Sequence, residues 1–136
     1  NSKAGRLVTM ARQVMERHGG ELPKTHPELE ALEGIGRKTA NVLSAELYQE
    51  PYIAVDTHVH RVANRVGLAG ARNRAQTERQ LEEVIPPAER PDAHHLLILH
   101  GRRTCKARNP LCSDCVLTSL CAFFLGKSPI SDGGAD

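Results

Sequence analysis

All four cysteines of this 136-residue chain lie in one short stretch with the spacing C-x6-C-x2-C-x5-C: Cys105, Cys112, Cys115 and Cys121. Such a set could form two disulfides, bind a zinc ion or bind an iron–sulfur cluster. No apolar signal-peptide-like segment lies near the start, so a secreted disulfide framework is not expected. Zinc sites usually show two close cysteine pairs, whereas only Cys112 and Cys115 are close here. The spacing therefore favours a cluster and leaves zinc open.

A second segment, LEGIGRKTANVL at residues 32–43, predicts a short helix, a Gly-x-Gly turn and a second helix. Glycines allow the backbone to approach a ligand closely. The N–H groups of Gly34, Ile35 and Gly36 would lie where the helix dipole favours an anion, and Arg37 adds a positive charge. The segment predicts a phosphate-binding hairpin of the kind that positions a protein on DNA. The alternative is a tight turn whose glycines serve only packing.

Two ionisable side chains near this segment could take part in bond breaking. Lys38 lies in the first turn of the second hairpin helix, and a neutral lysine amine forms Schiff bases with aldehydic sugar carbons. Asp56, in the segment IAVDTHVHRV, could face Lys38 across a cleft and stabilise positive charge on a sugar. The ordinary alternatives are a solvated lysine and a helix N-cap worth about 1 kcal/mol. We expect His58 to be a local hydrogen-bonding group.

The sequence predicts that helices position the cysteines, Lys38 and Asp56, because helical patterns cover almost the whole chain. Apolar residues make up 40% of the chain but aromatic residues only 3%, so the core must be aliphatic. Apolar periodicity, capping residues and Gly/Pro breaks predict helices that begin near Ser2, Pro27, Arg37, Asp56, Asn73 and His94. The only extended candidate is residues 51–55. A fold of the all-α class is therefore expected.

The net charge and the hydropathy of the chain limit the kinds of binding partner that are expected. The net charge of +2 is only weakly basic, so nucleic-acid binding would depend on local placement of Lys and Arg. No apolar stretch approaches the roughly 20 residues that a membrane span needs. No membrane partner is expected.

The hairpin, the segment VDTH, the segment LILHGRRTC and the cysteine loop occur in the order found in the endonuclease III family. The chain resembles that family from Asn1 to about Phe124. The resemblance implies a helix–hairpin–helix DNA glycosylase fold, with residues 1–50 as the C-terminal part of a six-helix barrel and residues 51–136 as a 4Fe–4S cluster domain. The tail from about residue 127 is expected to be disordered, and the family's N-terminal portion would be missing.

The resemblance also implies a bifunctional DNA glycosylase and AP lyase of base-excision repair. Such an enzyme removes oxidised pyrimidines from duplex DNA and cleaves the strand by β-elimination through a lysine Schiff base. The implied partner is double-stranded DNA with a damaged pyrimidine or an abasic site. A full-length monomer in the bacterial cytoplasm, associated with the nucleoid, is expected. The implied site comprises catalytic Lys38 and Asp56, cluster ligands Cys105, Cys112, Cys115 and Cys121, and DNA contacts at Gly34, Ile35, Gly36, Arg37, Lys106 and Arg108.

Three residues depart from the family pattern. Glu33 stands where many relatives have proline, His60 replaces a more common apolar residue, and Asn109 occupies a loop position that is often basic. The first two change charge or polarity near the expected site, and the third leaves the cluster loop with less positive charge.

Without the family's N-terminal helices, residues 1–50 are expected to expose the apolar side chains of Leu7, Val14 and Val42. The chain alone is then expected to be poorly soluble or weakly active. Two other classes of function stay open. One is a non-catalytic helix–hairpin–helix DNA-binding module with a structural metal site, and the other is a zinc-held interaction domain.

Overall fold

The computed structural model describes residues 2–127, and over that range the chain forms helices and turns with no strand. The predicted disordered tail lies, beyond Lys127, outside the described residues. The chain divides into two compact units, residues 1–54 and residues 55–136. No helix within residues 2–127 is both long and apolar enough to cross a membrane.

The first unit contains three helices: α1 (Ser2–His18), α2 (His26–Glu30) and α3 (Arg37–Tyr48). Pro27 in the first turn of α2 suits a position where a backbone N–H has no helical acceptor. Helices α2 and α3 pack against each other. The aliphatic core of the unit consists of Val14, Leu29, Leu32, Ile35 and Ala40, with Met10, Leu22, Leu43 and Tyr48 packed around it.

Helix α1 buries only part of its apolar face. Leu7 is 61% exposed, as expected. Val14, however, is only 9% exposed and belongs to the core, so the expectation that it is exposed is wrong. Val42 on α3 is half-buried rather than fully exposed. Leu7 and Val14 lie on the same face of α1, two turns apart, and it is Val14 that joins the core made with Leu29, Leu32 and Ile35.

The second unit contains three further helices and two short 3-10 helices: α4 (Thr57–Val66), α5 (Arg74–Val84), Pro87–Glu89, α6 (Arg90–Arg103) and Cys112–Asp114. Helix α4 packs against both α5 and α6. At the contact with α6, a Cβ on Gly101 would lie 3.0 Å from Val62 Cγ2 and 3.1 Å from His58 Cβ. Only glycine therefore allows the two helices to approach this closely.

Two local predictions need correction. Helix α6 begins at Arg90 rather than near His94, because Pro91 fits the first turn, where its missing N–H costs nothing. The extended candidate at residues 51–55 forms no strand within the described part of the chain. Instead, Asn41 Nδ2 donates to the Ile53 carbonyl at 3.1 Å and holds this segment on α3.

Candidate active site and cluster-binding loop

The Gly-x-Gly turn joins the end of the short α2 segment to α3. Gly34 has φ +80, a left-handed conformation that favours glycine, and a Cβ there would lie in tight contact with Arg6 Cβ at 3.3 Å. Ile35 is buried, and its N–H donates to the Leu32 carbonyl at 3.1 Å. The Ile35 amide thus already has an acceptor within the turn, whereas Gly34 and Gly36 lie at the surface.

The start of α3 presents backbone N–H groups and two cationic side chains. Gly36 is the N-cap and supplies no side-chain acceptor to the first turn. The first N–H groups of a helix have no acceptor within the helix itself, which makes this end suitable for an anion. Arg37 and Lys38 follow at once, and both are exposed. This combination of helix N-terminus and adjacent cations suits a phosphate.

Asp56 is the N-cap of α4, as predicted. Its Oδ1 accepts from the Val59 N–H at 2.8 Å, and its own carbonyl accepts from the His60 N–H at 3.0 Å. The side chain is half-buried. The cap orients the carboxylate by a contact within its own helix, so its position does not depend on a distant partner.

The four cysteines come together at one cavity of the second unit and are not joined in disulfides. Cys105 and Cys121 are buried, while Cys112 and Cys115 are half-buried. The rest of the cavity wall is mostly apolar and includes Val66, Leu111, Phe123 and Phe124. Four free thiols that line one apolar cavity are the kind of donor set that an iron–sulfur cluster uses.

Nitrogen atoms lie close to two of the four sulfurs, those of Cys115 and Cys105. The Leu117 N–H donates to Cys115 Sγ at 3.4 Å, and His100 Nε2 lies 3.7 Å from the same sulfur. Arg65 Nη1 lies 3.7 Å from Cys105 Sγ. Because hydrogen bonds to sulfur stabilise anionic thiolates, this environment fits the negative charge of a thiolate-ligated cluster.

The loop between the first two cysteines carries Lys106 and Arg108, both exposed. The loop is closed at its base because the Thr104 carbonyl accepts from the N–H groups of both Lys106 and Leu111 at 2.9 Å. Asn109 has φ 50, a left-handed conformation that asparagine tolerates better than most residues. The side chain that lowers the loop's charge therefore also suits its turn.

Sequence reasoning missed two arginines of α4 that join this helix to the cysteine loop. Arg61 donates from Nε to the Cys105 carbonyl at 3.1 Å and from Nη2 to the Gly101 carbonyl at 2.9 Å, and it contacts His58 Nδ1 at 3.1 Å. Arg65 is only 6% exposed. The sequence places these two arginines four residues apart, next to the apolar positions of an amphipathic helix, and this pattern could have indicated that they are partly buried. It could not indicate which carbonyl groups accept their hydrogen bonds.

His60, one of the departures, lies in a buried polar network between α4 and α5. Its Nδ1 is 2.7 Å from Thr77 Oγ1 and 3.2 Å from Asn64 Nδ2. Burial lowers the pKa of the His60 imidazole below its usual 6.5, and the nearby Arg74 lowers it further. A neutral imidazole therefore fits this network better than a charged one.

Two protein-family models match the regions that contain the hairpin and the cysteine loop. Residues 1–87 match the HhH-GPD superfamily of base excision DNA repair proteins, and residues 105–121 match the iron–sulfur binding domain of endonuclease III. The chain belongs to the HhH-GPD superfamily of base excision DNA repair proteins.

Within this family the chain is similar to endonuclease III. It is 46% identical to endonuclease III of Haemophilus influenzae and 47% identical to that of Escherichia coli K12, each over 123 residues, 90% of this chain and 58% of the relative. Two solved structures, a trapped endonuclease III–DNA covalent intermediate and a non-covalent endonuclease III–DNA complex, match with TM-scores of 0.84. Each is 37% identical and covers 92% of this chain and 59% of the other.

These findings confirm the predicted endonuclease III relationship, the all-α DNA glycosylase fold and the 4Fe–4S cluster. The chain spans less than two thirds of the length of these relatives. The domain boundaries and the roles of individual site residues stay predictions.

Proposed function

We propose that the protein is a bifunctional DNA glycosylase and AP lyase that excises oxidised pyrimidines from duplex DNA. The observation that carries the proposal is the exposed Lys38 amine at the start of α3, beside a glycine-capped helix N-terminus suited to a phosphate. A lysine beside a bound DNA backbone can reach a deoxyribose carbon once the nucleotide is flipped from the stack.

In the proposed reaction Lys38 Nζ forms a bond to C1′ of the flipped nucleotide, and the N-glycosidic bond to the damaged base breaks. Asp56 accepts a proton from the attacking amine or stabilises positive charge on the sugar. The cap occupies Oδ1 of Asp56, so Oδ2 is the oxygen that would act. Opening of the sugar leaves a Schiff base, which allows a C2′ proton to depart and the 3′ phosphate to leave by β-elimination.

DNA binding is assigned to two regions. Gly34, Gly36 and Arg37 of the hairpin would contact one phosphate, and exposed Lys106 and Arg108 would contact another. The Ile35 N–H, which was also expected to contact the phosphate, already donates to the Leu32 carbonyl. Cys105, Cys112, Cys115 and Cys121 would hold the cluster. When bound, the cluster supplies a structural cross-link that shapes the basic loop and takes no part in bond breaking.

The proposal also covers the substrate, the oligomeric state and the cellular location. The substrate is double-stranded DNA with an oxidised pyrimidine or an abasic site, the full-length protein acts as a monomer, and it works in the cytoplasm on nucleoid DNA. Residues 1–50 would be part of a six-helix barrel, and residues 51–136 would form the cluster domain.

Borohydride trapping tests the chemistry directly. The holoprotein is incubated with a duplex that contains one abasic site, reduced with borohydride and analysed by denaturing electrophoresis and mass spectrometry. We expect a covalent adduct on Lys38 that Lys38→Ala abolishes. Lys24→Ala, which removes another exposed lysine of the same unit, should keep the adduct.

One alternative has support in the structure. A non-catalytic DNA-binding module needs only a solvated lysine and a capping aspartate, and the exposure of Lys38 and the cap contact of Asp56 satisfy both. That alternative predicts binding to the abasic duplex without an adduct. An adduct that persists in Lys38→Ala would instead move the nucleophile to another amine. Base release from a duplex with one oxidised thymine separates glycosylase from lyase activity.

A further inference from the structure

Arg65 is a buried arginine that the proposed chemistry does not use. Its Nη1 donates to the Lys106 carbonyl at 2.7 Å and its Nη2 to the Ala107 carbonyl at 3.2 Å. Its guanidinium carbon lies 4.8 Å from the centre of the Phe123 ring. Burial of a guanidinium is costly unless hydrogen bonds and negative charge compensate it. The two carbonyl acceptors and the Phe123 ring offset part of that cost.

The same residue contacts both ends of the cysteine run. Its Nη1 lies 3.7 Å from Cys105 Sγ, and its backbone carbonyl lies 3.4 Å from Cys121 Sγ. The Phe123 N–H also donates to that carbonyl at 2.8 Å. Arg65 is thus connected to the first and the last cysteine, which are separated by the whole loop, and it lies on the face of α4 that the loop covers.

We propose that Arg65 is a positioning residue for the iron–sulfur cluster, one that holds the Cys105 thiolate in place and whose positive charge raises the reduction potential of the cluster. A cluster with four thiolate ligands carries net negative charge, about −2 in its common oxidised state. The guanidinium faces that charge from a buried position, where electrostatic interactions are weakly screened.

The direction of the effect follows from charge. One-electron reduction adds a negative charge to the cluster, and a nearby fixed cation stabilises the more negative state. Hydrogen bonds to the sulfurs and burial are general determinants of cluster potential. Removing the Arg65 charge should therefore make reduction harder. His100 and the Leu117 amide contact a different sulfur, that of Cys115, and their contacts would be unchanged.

The test compares four variants of the holoprotein by film voltammetry, with iron and sulfide content measured on the same samples. Arg65→Met removes charge and donors, Arg65→Gln keeps a donor without charge, and Arg65→Lys keeps the charge. Arg102→Met removes one charge from an exposed position on α6. We expect the neutral Arg65 variants to shift the one-electron reduction equilibrium at least tenfold toward the oxidised state, about 59 mV. Arg65→Lys and Arg102→Met should stay close to wild type.

Each outcome decides the proposal. If both neutral variants lose iron while Arg65→Lys and Arg102→Met retain it, the charge requirement is supported by cluster content instead of potential. If Arg65→Lys loses the cluster or shifts as far as Arg65→Met, the role is one of shape and hydrogen bonding, and the electrostatic proposal fails. An unchanged potential in Arg65→Gln overturns it too, as does an equal shift in Arg102→Met. None of these readouts depends on glycosylase activity, so a failure of the proposed function would be seen separately.

Discussion

Asp56 is the N-cap of α4 and also the proposed catalytic carboxylate, and substitutions can separate these two roles. As N-cap of α4 its Oδ1 accepts from the Val59 N–H at 2.8 Å. As the proposed catalytic carboxylate it needs its negative charge. Asparagine keeps an acceptor oxygen of the same reach but no charge, whereas alanine removes both. Asp56→Asn and Asp56→Ala should therefore differ in stability while both lose activity.

The magnitudes can be estimated from the contact. Loss of an N-cap acceptor costs about 1 kcal/mol, within a range of roughly 0.5–2 kcal/mol, because the Val59 N–H loses its partner. Asparagine caps about as well as aspartate, so Asp56→Asn should lose only the charge–dipole part, about 0.3–1 kcal/mol. A loss of 1 kcal/mol in a chain of this size lowers Tm by about 4 °C. Removal of a positioned acid–base group lowers the chemical rate by about 10²–10⁴-fold.

Two assays measure the two roles. Thermal unfolding of the holoproteins, followed by circular dichroism at one scan rate, gives the stability difference, and single-turnover base release gives the rate. Asn73→Ala is the matched control, since Asn73 Oδ1 caps α5 through the Gln76 N–H at 2.9 Å. It should lower Tm by a similar amount and leave the rate unchanged. Near-wild-type base release by Asp56→Asn would refute a catalytic role, and an unchanged Tm in Asp56→Ala would refute the cap energetics.

Two further predictions concern the packing of α4. Because the pKa of His60 is lowered in the fold, the unfolded chain binds more protons below its ordinary value of 6.5. The contribution of His60 to the free energy of unfolding is thus fully present above pH 6.5 and is lost as the pH falls toward the pKa of the folded state. Urea unfolding between pH 7.5 and 5 should therefore show a free energy that depends less on pH in His60→Gln than in the wild type. An identical pH dependence would contradict the lowered pKa of His60. Gly101→Ala places a Cβ 3.0 Å from Val62 Cγ2 and 3.1 Å from His58 Cβ, so we expect a loss of about 1–3 kcal/mol. Urea unfolding should also show that Gly101→Ala and Val62→Ala together cost less than the sum of the two single changes, because Val62→Ala removes the methyl group that the new Cβ meets. An unchanged midpoint in Gly101→Ala would contradict this packing argument.

Local signals predicted much of the fold. The bounds of α3 and α4, the caps at Asp56 and Asn73, and the need for glycine at position 34 all follow from hydrogen bonds and backbone geometry within a few residues. The predicted start of α6 near His94 was wrong, since the helix begins at Arg90 and Pro91 lies in its first turn. Nothing within the neighbouring sequence distinguishes a connector from a first helical turn at Pro91 until the helix packs.

The sequence by itself determined the chemistry available to this protein: four closely spaced cysteines, a lysine after a Gly-x-Gly turn, and an aspartate before an amphipathic helix. Those are properties of residue type and spacing, and short-range physics is enough to interpret them. Only the tertiary structure decided which residues support them. Arg65 meets Cys105 across 40 positions of sequence, and Val14 joins a core made by residues of α2 and the turn. Such contacts depend on how helices pack, and packing is a property of the folded chain as a whole, which no local pattern encodes.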